Sequence, residues 1–149
     1  MPTGDDNSRG ARVGHPEDGA DKRRLDHEYK RGLQLARDGE FFLAHEAFEL
    51  AWRGASAQER DFFQGLVHAV VFCYQHARGR AVGAERQRVK AIGRLGGYAP
   101  AHRGLDVERL LAALVRAEPD LREQLVEADP KPPVLVEEEQ QAERDEDRP

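Results

Sequence analysis

Apolar side chains recur along this chain at the three- and four-residue spacing of amphipathic helices, and glycines and prolines punctuate the recurrence. Leu25, Tyr29, Leu33 and Ala36 mark one stripe, predicting a first helix that follows Asp21 as N-cap, runs to Asp38 and stops at Gly39. Phe41, Ala44, Phe48 and Ala51 line a second helix ending near Gly54, so the first two should form a tight antiparallel hairpin. Ser56-Ala-Gln-Glu59 has the pattern of a capping box and predicts a third helix to about Arg78. Its apolar residues, from Phe62 and Phe63 through Leu66, Val67 and Val70 to Tyr74, cover nearly the whole circumference, which places it at the centre. A fourth helix, about Arg80 to Leu95, is thinner in apolar content (Val82, Ala84, Val89, Ile92, Leu95) and should lie outside. Asp106 suits the N-cap of a fifth, Val107 to Ala117, and Pro119 the first position of a short sixth reaching Ala128. Alternation of strand type is confined to Val134-Leu-Val136, too short to build a sheet. The expected fold is all-α, a compact bundle of five or six helices around a central apolar helix. It should occupy residues 21–128, between a disordered arm, 1–20, and an acidic disordered tail, 129–149.

Composition narrows the class. A length of 149 residues suits one domain, and 39% apolar with 34% charged residues suits a folded core with polar ends. Residues 129–149 hold eight acidic and three basic residues, a net of −5 that equals the charge of the whole chain. The rest sums to zero without a basic concentration, so nucleic acid is not an expected partner, whereas a basic protein partner for the acidic tail is one possible use of the charge run. Cys73 is the single cysteine and lies in an apolar run, fitting a reduced, cytoplasmic location. The first twenty residues lack the apolar block of a secretory signal, and the stretch from Phe62 to Tyr74 is interrupted and shorter than the roughly 20 residues of a membrane span.

Gly32, Phe41, Ala44, Phe48 and Ala51 have the spacing of a tetratricopeptide-type helix hairpin, where small residues let two helices approach closely. Thirty-four residues on, the corresponding positions are Leu66, Gln75, Arg78, Val82 and Glu85, so the pattern does not repeat and a solenoid is excluded.

The unusual chemistry is a polar seam. His45 and Glu49 stand one turn apart on the second helix, Trp52 continues their stripe, and Arg60, Gln64 and His68 succeed one another at intervals of four on the third. If the two helices pack together, these groups share one volume, and three uses compete. In a structural use, Glu49 pairs with Arg60, His45 and Gln64 complete hydrogen bonds and the Trp52 indole finds an acceptor. In a binding use, the same groups line a pocket for a small polar ligand, with His45 or His68 able to carry a proton. In a metal use, His45, Glu49 and His68 hold zinc or iron(II) for a hydrolase; His-Glu-x-x-Glu has the spacing of the zinc-protease pentad with its last ligand exchanged. His15, His27 and His102 read as solvated, and His76 as a cation at a helix C-terminus.

Taken in order, Gly39-Glu-Phe-Phe, Ala44-His45-Glu46, Glu49, Trp52, Arg60-Asp-Phe-Phe-Gln-Gly65-Leu66, His76, Gly79, Gly83-Ala84 and Gly104-Leu-Asp106 with Leu110 resemble a bacterial and archaeal family known as domain of unknown function 309. The resemblance covers about residues 25–114 and implies a small all-helical fold in a family without an established activity. Many members carry glutamine where this chain has His68, which argues against a metal role there.

Overall fold

The computed structural model describes residues 15–130, with side chains from residue 19 onward. Five helices carry the described chain: α1 (His15–Arg37), α2 (Phe41–Arg53), α3 (Arg60–Ala77), α4 (Ala81–Leu95) and α5 (Val107–Val115). Between α4 and α5 lie a 3-10 turn (Gly96–Tyr98) and a hairpin of two-residue strands, β1 (Ala101–His102) and β2 (Leu105–Asp106). The fold is thus all-α apart from this hairpin.

Glycine closes the first helix and the third in the same way. Gly39 has φ 84°, and the amides of Gly39 and Glu40 donate to the carbonyls of Ala36 (3.0 Å) and Leu35 (2.8 Å). Gly79, at φ 75°, repeats the arrangement, with Arg80 bonded to Gln75 at 3.0 Å. A left-handed residue after the last helical turn satisfies two orphan carbonyls and reverses the chain, and glycine adopts that conformation without a Cβ clash. The reversals make neighbours of α1 with α2 and of α3 with α4.

The anticipated stripes pack inward. Leu25, Tyr29, Leu33 and Ala36 of α1 and Ala44, Phe48 and Ala51 of α2 are buried against Phe62, Phe63, Leu66, Ala69, Val70 and Phe72 of α3. Tyr29 packs on Phe62 and Phe63 at centroid distances of 5.9 and 5.8 Å, and each such side chain contributes about 1.5–3 kcal/mol by leaving water. With neighbours on several sides, α3 is the central helix. On α4 the inward residues are Ala84, Ala91 and Leu95, whereas Val82 and Val89, expected in its stripe, face solvent.

Three local expectations are corrected. Helix α1 starts at His15, six residues ahead of the expected cap at Asp21; Pro16 followed by Glu17 and Asp18 is a composition suited to a first helical turn. The capping box does not form. Glu59 is the N-cap of α3 without a side-chain cap bond, because its carboxylate is held by Arg103 and His102 instead. The sixth helix is also absent among the described residues. The Asp120 carboxylate accepts from the amide of Arg122, two residues on, at 3.0 Å, and the segment continues as turns to a bridge between Glu127 and Leu105. Leu121 and Leu125 still reach the core from these turns. By contrast, Asp106 caps α5 as anticipated, accepting from the Arg109 amide at 2.9 Å.

Residues 1–14 and 131–149 lie outside the described residues, and with them most of the expected arm and nearly all of the acidic tail. Among the described residues no helix is long and apolar enough to cross a membrane.

Close helix approach generates a pair of opposite predictions. A Cβ added to Gly32 would stand 2.5 Å from the Phe48 ring, whereas one added to Gly93 of α4 meets nothing within 4 Å. Chemical denaturation should show Gly32→Ala destabilised by about 1–3 kcal/mol through overpacking and Gly93→Ala stabilised by about 0.5–1 kcal/mol through helix propensity. Equal effects of the two substitutions would contradict the packing described.

Candidate functional site

Helices α2 and α3 run in opposite directions. Trp52 of α2 lies beside Arg60 of α3, and Phe42 beside Tyr74, so a residue early in one helix is level with a residue late in the other. This pairing decides which of the six seam residues can meet.

At the loop end, the Arg60 guanidinium carbon sits 4.7 Å from the centroid of the Trp52 ring. A cation over an indole face is attracted by the ring quadrupole, worth about 0.5–1 kcal/mol at an exposed site. Arg60 is exposed and makes no ion pair with Glu49 among the described residues, so the expected Glu49–Arg60 pair is replaced by the stack on Trp52. The indole nitrogen beneath is buried without a hydrogen-bond partner among the described residues.

Half-way along α2, His45 Nε2 lies 3.4 Å from Glu49 Oε2, an ion-contact distance between side chains 24% and 43% exposed. In a neutral imidazole, a carboxylate beside Nε2 favours the tautomer with its hydrogen there, which leaves Nδ1 a lone-pair acceptor. That Nδ1 is the second buried side-chain polar atom without a partner among the described residues. His45 opens on a groove of about 200 Å³ lined also by Phe41, Phe42, Val71, Tyr74 and Gln75. The Phe42 ring lies 5.5 Å from both His45 and Tyr74 and remains 49% exposed.

His68 goes elsewhere. Its Nδ1 is 2.7 Å from Gln87 Oε1 of α4, on a different side of α3 from His45. Each step of four residues advances about 40° around a helix, so the row Arg60, Gln64, His68 drifts about 80° and passes from the α2 side to the α4 side. Gln64 is half-buried between them and is hydrogen-bonded to neither His45 nor Glu49. The expected convergence of His45, Glu49 and His68 on one metal ion is therefore not formed; among the described residues no three His, Cys, Asp or Glu side chains are grouped to hold one.

Residues 29–87 match the family described as Domain of unknown function (DUF309). The DUF309 match takes in Tyr29, all of α2 and α3, and α4 as far as Gln87, so the whole α2–α3 seam and its groove lie within it. It is shorter than the stretch over which the residues resemble that family, ending before Gly104-Leu-Asp106. No curated protein and no solved structure matches the chain.

A second constellation, at the hairpin, was not apparent from the sequence. Arg103 donates from Nε to Glu59 and from Nη1 to Asp26, both at 2.8 Å, and its guanidinium lies over Phe63 and Tyr29. His102 stands 3.2 Å from the other Glu59 oxygen, with its ring 4.6 Å from Phe62 and 4.8 Å from Tyr98. So His102 is not a solvated loop residue. Arg103 has φ 50° and Gly104 φ 77°, the two successive positive values of a type I′ hairpin turn, and a non-glycine residue held there is a cue that the surroundings fix it. The only sequence signal was Arg103-Gly104 between Pro100 and Asp106; the partners Asp26 and Glu59 are 77 and 44 residues away. Burial pushes the Tyr29 hydroxyl above its ordinary range, and it donates to the Arg103 carbonyl at 3.2 Å.

The half-buried His68 titrates below its ordinary 6.5, chiefly because burial disfavours its charged form, against the opposing bond to Gln87. In the unfolded chain this histidine binds a proton more readily, so its contribution is fully present above the unfolded value and stability falls as pH drops below it. Urea denaturation from pH 7.5 down to 5 should show a loss that is smaller in His68→Gln. An unchanged slope in the variant would contradict the burial of this imidazole.

Proposed function

We propose that the domain is a binding module whose α2–α3 groove takes a small, flat, largely apolar molecule bearing one hydrogen-bond donor. The observation that supports this reading is His45 itself: a buried, unpartnered Nδ1 on a residue that lines an aromatic groove, with Glu49 biasing it to accept. An unsatisfied buried polar atom costs about 1–3 kcal/mol, and a ligand that donates to it once the His45 ring turns toward the groove recovers part of that cost. Size limits the ligand. A cavity of about 150 Å³ accommodates benzene, so 200 Å³ suits one aromatic ring with a small substituent. Phe42 and Tyr74 supply ring faces for it, and Gln75 a second polar contact at the rim. Arg60 on Trp52 closes the loop end of the same helix pair, and its part is structural in this reading.

Phenol and toluene are matched probes, since only phenol donates. Titrated into isotopically labelled protein, phenol should shift the amides around Phe42, His45, Val71 and Tyr74 and bind about 2- to 10-fold more tightly than toluene, the range that one neutral hydrogen bond supports. His45→Phe should erase that preference while leaving the fold's remaining amide positions in place. Equal affinities in the wild-type protein, or shifts scattered away from the groove, would overturn the reading.

A further inference from the structure

A second groove, between α1 and the β1–β2 hairpin, has a different chemistry. It encloses about 430 Å³, with Tyr29, Leu33 and Leu105 as its apolar floor and Lys30, Arg37 and Arg103 around its edge; Glu127 is the acid among its lining residues. Arg103 is already committed to Glu59 and Asp26. Among the described residues Arg37 uses only Nε, donating to the Leu125 carbonyl at 2.6 Å, and its terminal amino groups have no acceptor there. Lys30 is exposed and makes no ion pair among the described residues. Lys30 and Arg37 are seven apart, as are Arg23 and Lys30, so the three cations recur along one side of α1.

The path of the C-terminal segment leads into this groove. Asp106 donates to the Val126 carbonyl at 2.9 Å and Ala128 to the Gly104 carbonyl at 2.8 Å, which lays residues 126–128 antiparallel to β2 and carries the chain past the hairpin turn toward α1. Pro130, where the described chain stops, is itself part of the groove wall. The next residues in sequence are Lys131-Pro-Pro-Val134-Leu135-Val136-Glu137-Glu138-Glu139. Three apolar residues followed by three carboxylates match the narrow apolar edges that Tyr29 and Leu33 leave open, beside Lys30 and Arg37, which make no ion pair among the described residues.

We propose that residues 134–139 dock in cis on this groove, residues 134–136 covering Tyr29 and Leu33 and residues 137–139 meeting Lys30 and Arg37. The reach is sufficient: five residues beyond Pro130 span up to about 17 Å, more than a whole turn of α1 on either side of Leu33. A tether this short also holds the segment at a local concentration on the order of millimolar, so modest contacts suffice to seat it. The proposal rests on the α1–hairpin groove and is independent of the phenol-sized groove at His45.

Spin labelling of the full chain tests it. Cys73 is buried and its thiol pushed up to about 12, so a nitroxide reagent reacts with a new cysteine placed by Gln140→Cys. The label should quench the amides between Lys30 and Arg37 and that of Gly104, and leave Val82 and Val89 on α4 at full intensity. Leu135→Asp or Lys30→Glu in the labelled chain should restore most of the lost signal, and so should high salt, which screens the exposed charges. Absent or uniform quenching would overturn the proposal. So would quenching that appears undiminished when labelled chains free of isotope are mixed with isotopically enriched unlabelled ones, since that result assigns the groove to the tail of a second copy.

Discussion

Leu95 of α4 lies directly on the bare backbone of Gly65 in α3, and much else in the domain follows from that approach. A Cβ at position 65 would stand 2.5 Å from Leu95 Cγ and 3.2 Å from Arg94 Cβ, so the two helices are nearer than any side chain at that position permits. At this spacing Arg94 reaches Asp61 at 2.7 Å and Gln87 reaches His68 at 2.7 Å. The same relation recurs between α1 and α2, where Gly32 faces the Phe48 ring. Glycine costs helix propensity, about 0.5–1 kcal/mol against alanine, and the close contact it permits between helices offsets that loss.

Because α3 is committed on one side to α4, its polar row cannot stay with α2 along its full length. Arg60 meets Trp52, Gln64 lies between, and His68 belongs to α4. What remains on the α2 side is an aromatic groove with one imidazole, and the proposed single-acceptor site is built on it. The hairpin performs a different task. By gathering Asp26 of α1, Glu59 before α3 and the aromatic edge of Phe62 and Phe63, Arg103 and His102 tie the C-terminal part of the described chain to the helices.

Much of this was legible from residue order, for identifiable reasons. The stripes of α1 and α2 and the central position of α3 are properties of helical period and apolar width, which are local. Gly39 and Gly79 announced their turns because a left-handed residue at a helix end is strongly selective for glycine. Glu59 misled because its position after Ser56 fits a capping box, while its partners come from residues 102 and 103, far along the chain. Pro119 misled because a favourable first position is a local signal, whereas the segment after it is held as turns by the pairing of Glu127 with Leu105, far back in the chain. The six polar residues do lie on α2 and α3, but whether they meet depends on rotation about the α3 axis, which the Gly65–Leu95 contact, thirty residues apart in sequence, helps to set.

The Gly65–Leu95 contact can be tested by a double-mutant cycle in denaturant. Gly65→Ala alone should be destabilising through the clash, and Leu95→Ala alone should cost about 2–5 kcal/mol through the cavity it leaves. In the double variant the new methyl group occupies vacated space, so the combined loss should fall short of the sum by about 1–3 kcal/mol. Additive losses, within about 0.5 kcal/mol, would mean that the two residues do not set each other's distance, and would contradict the account at its base.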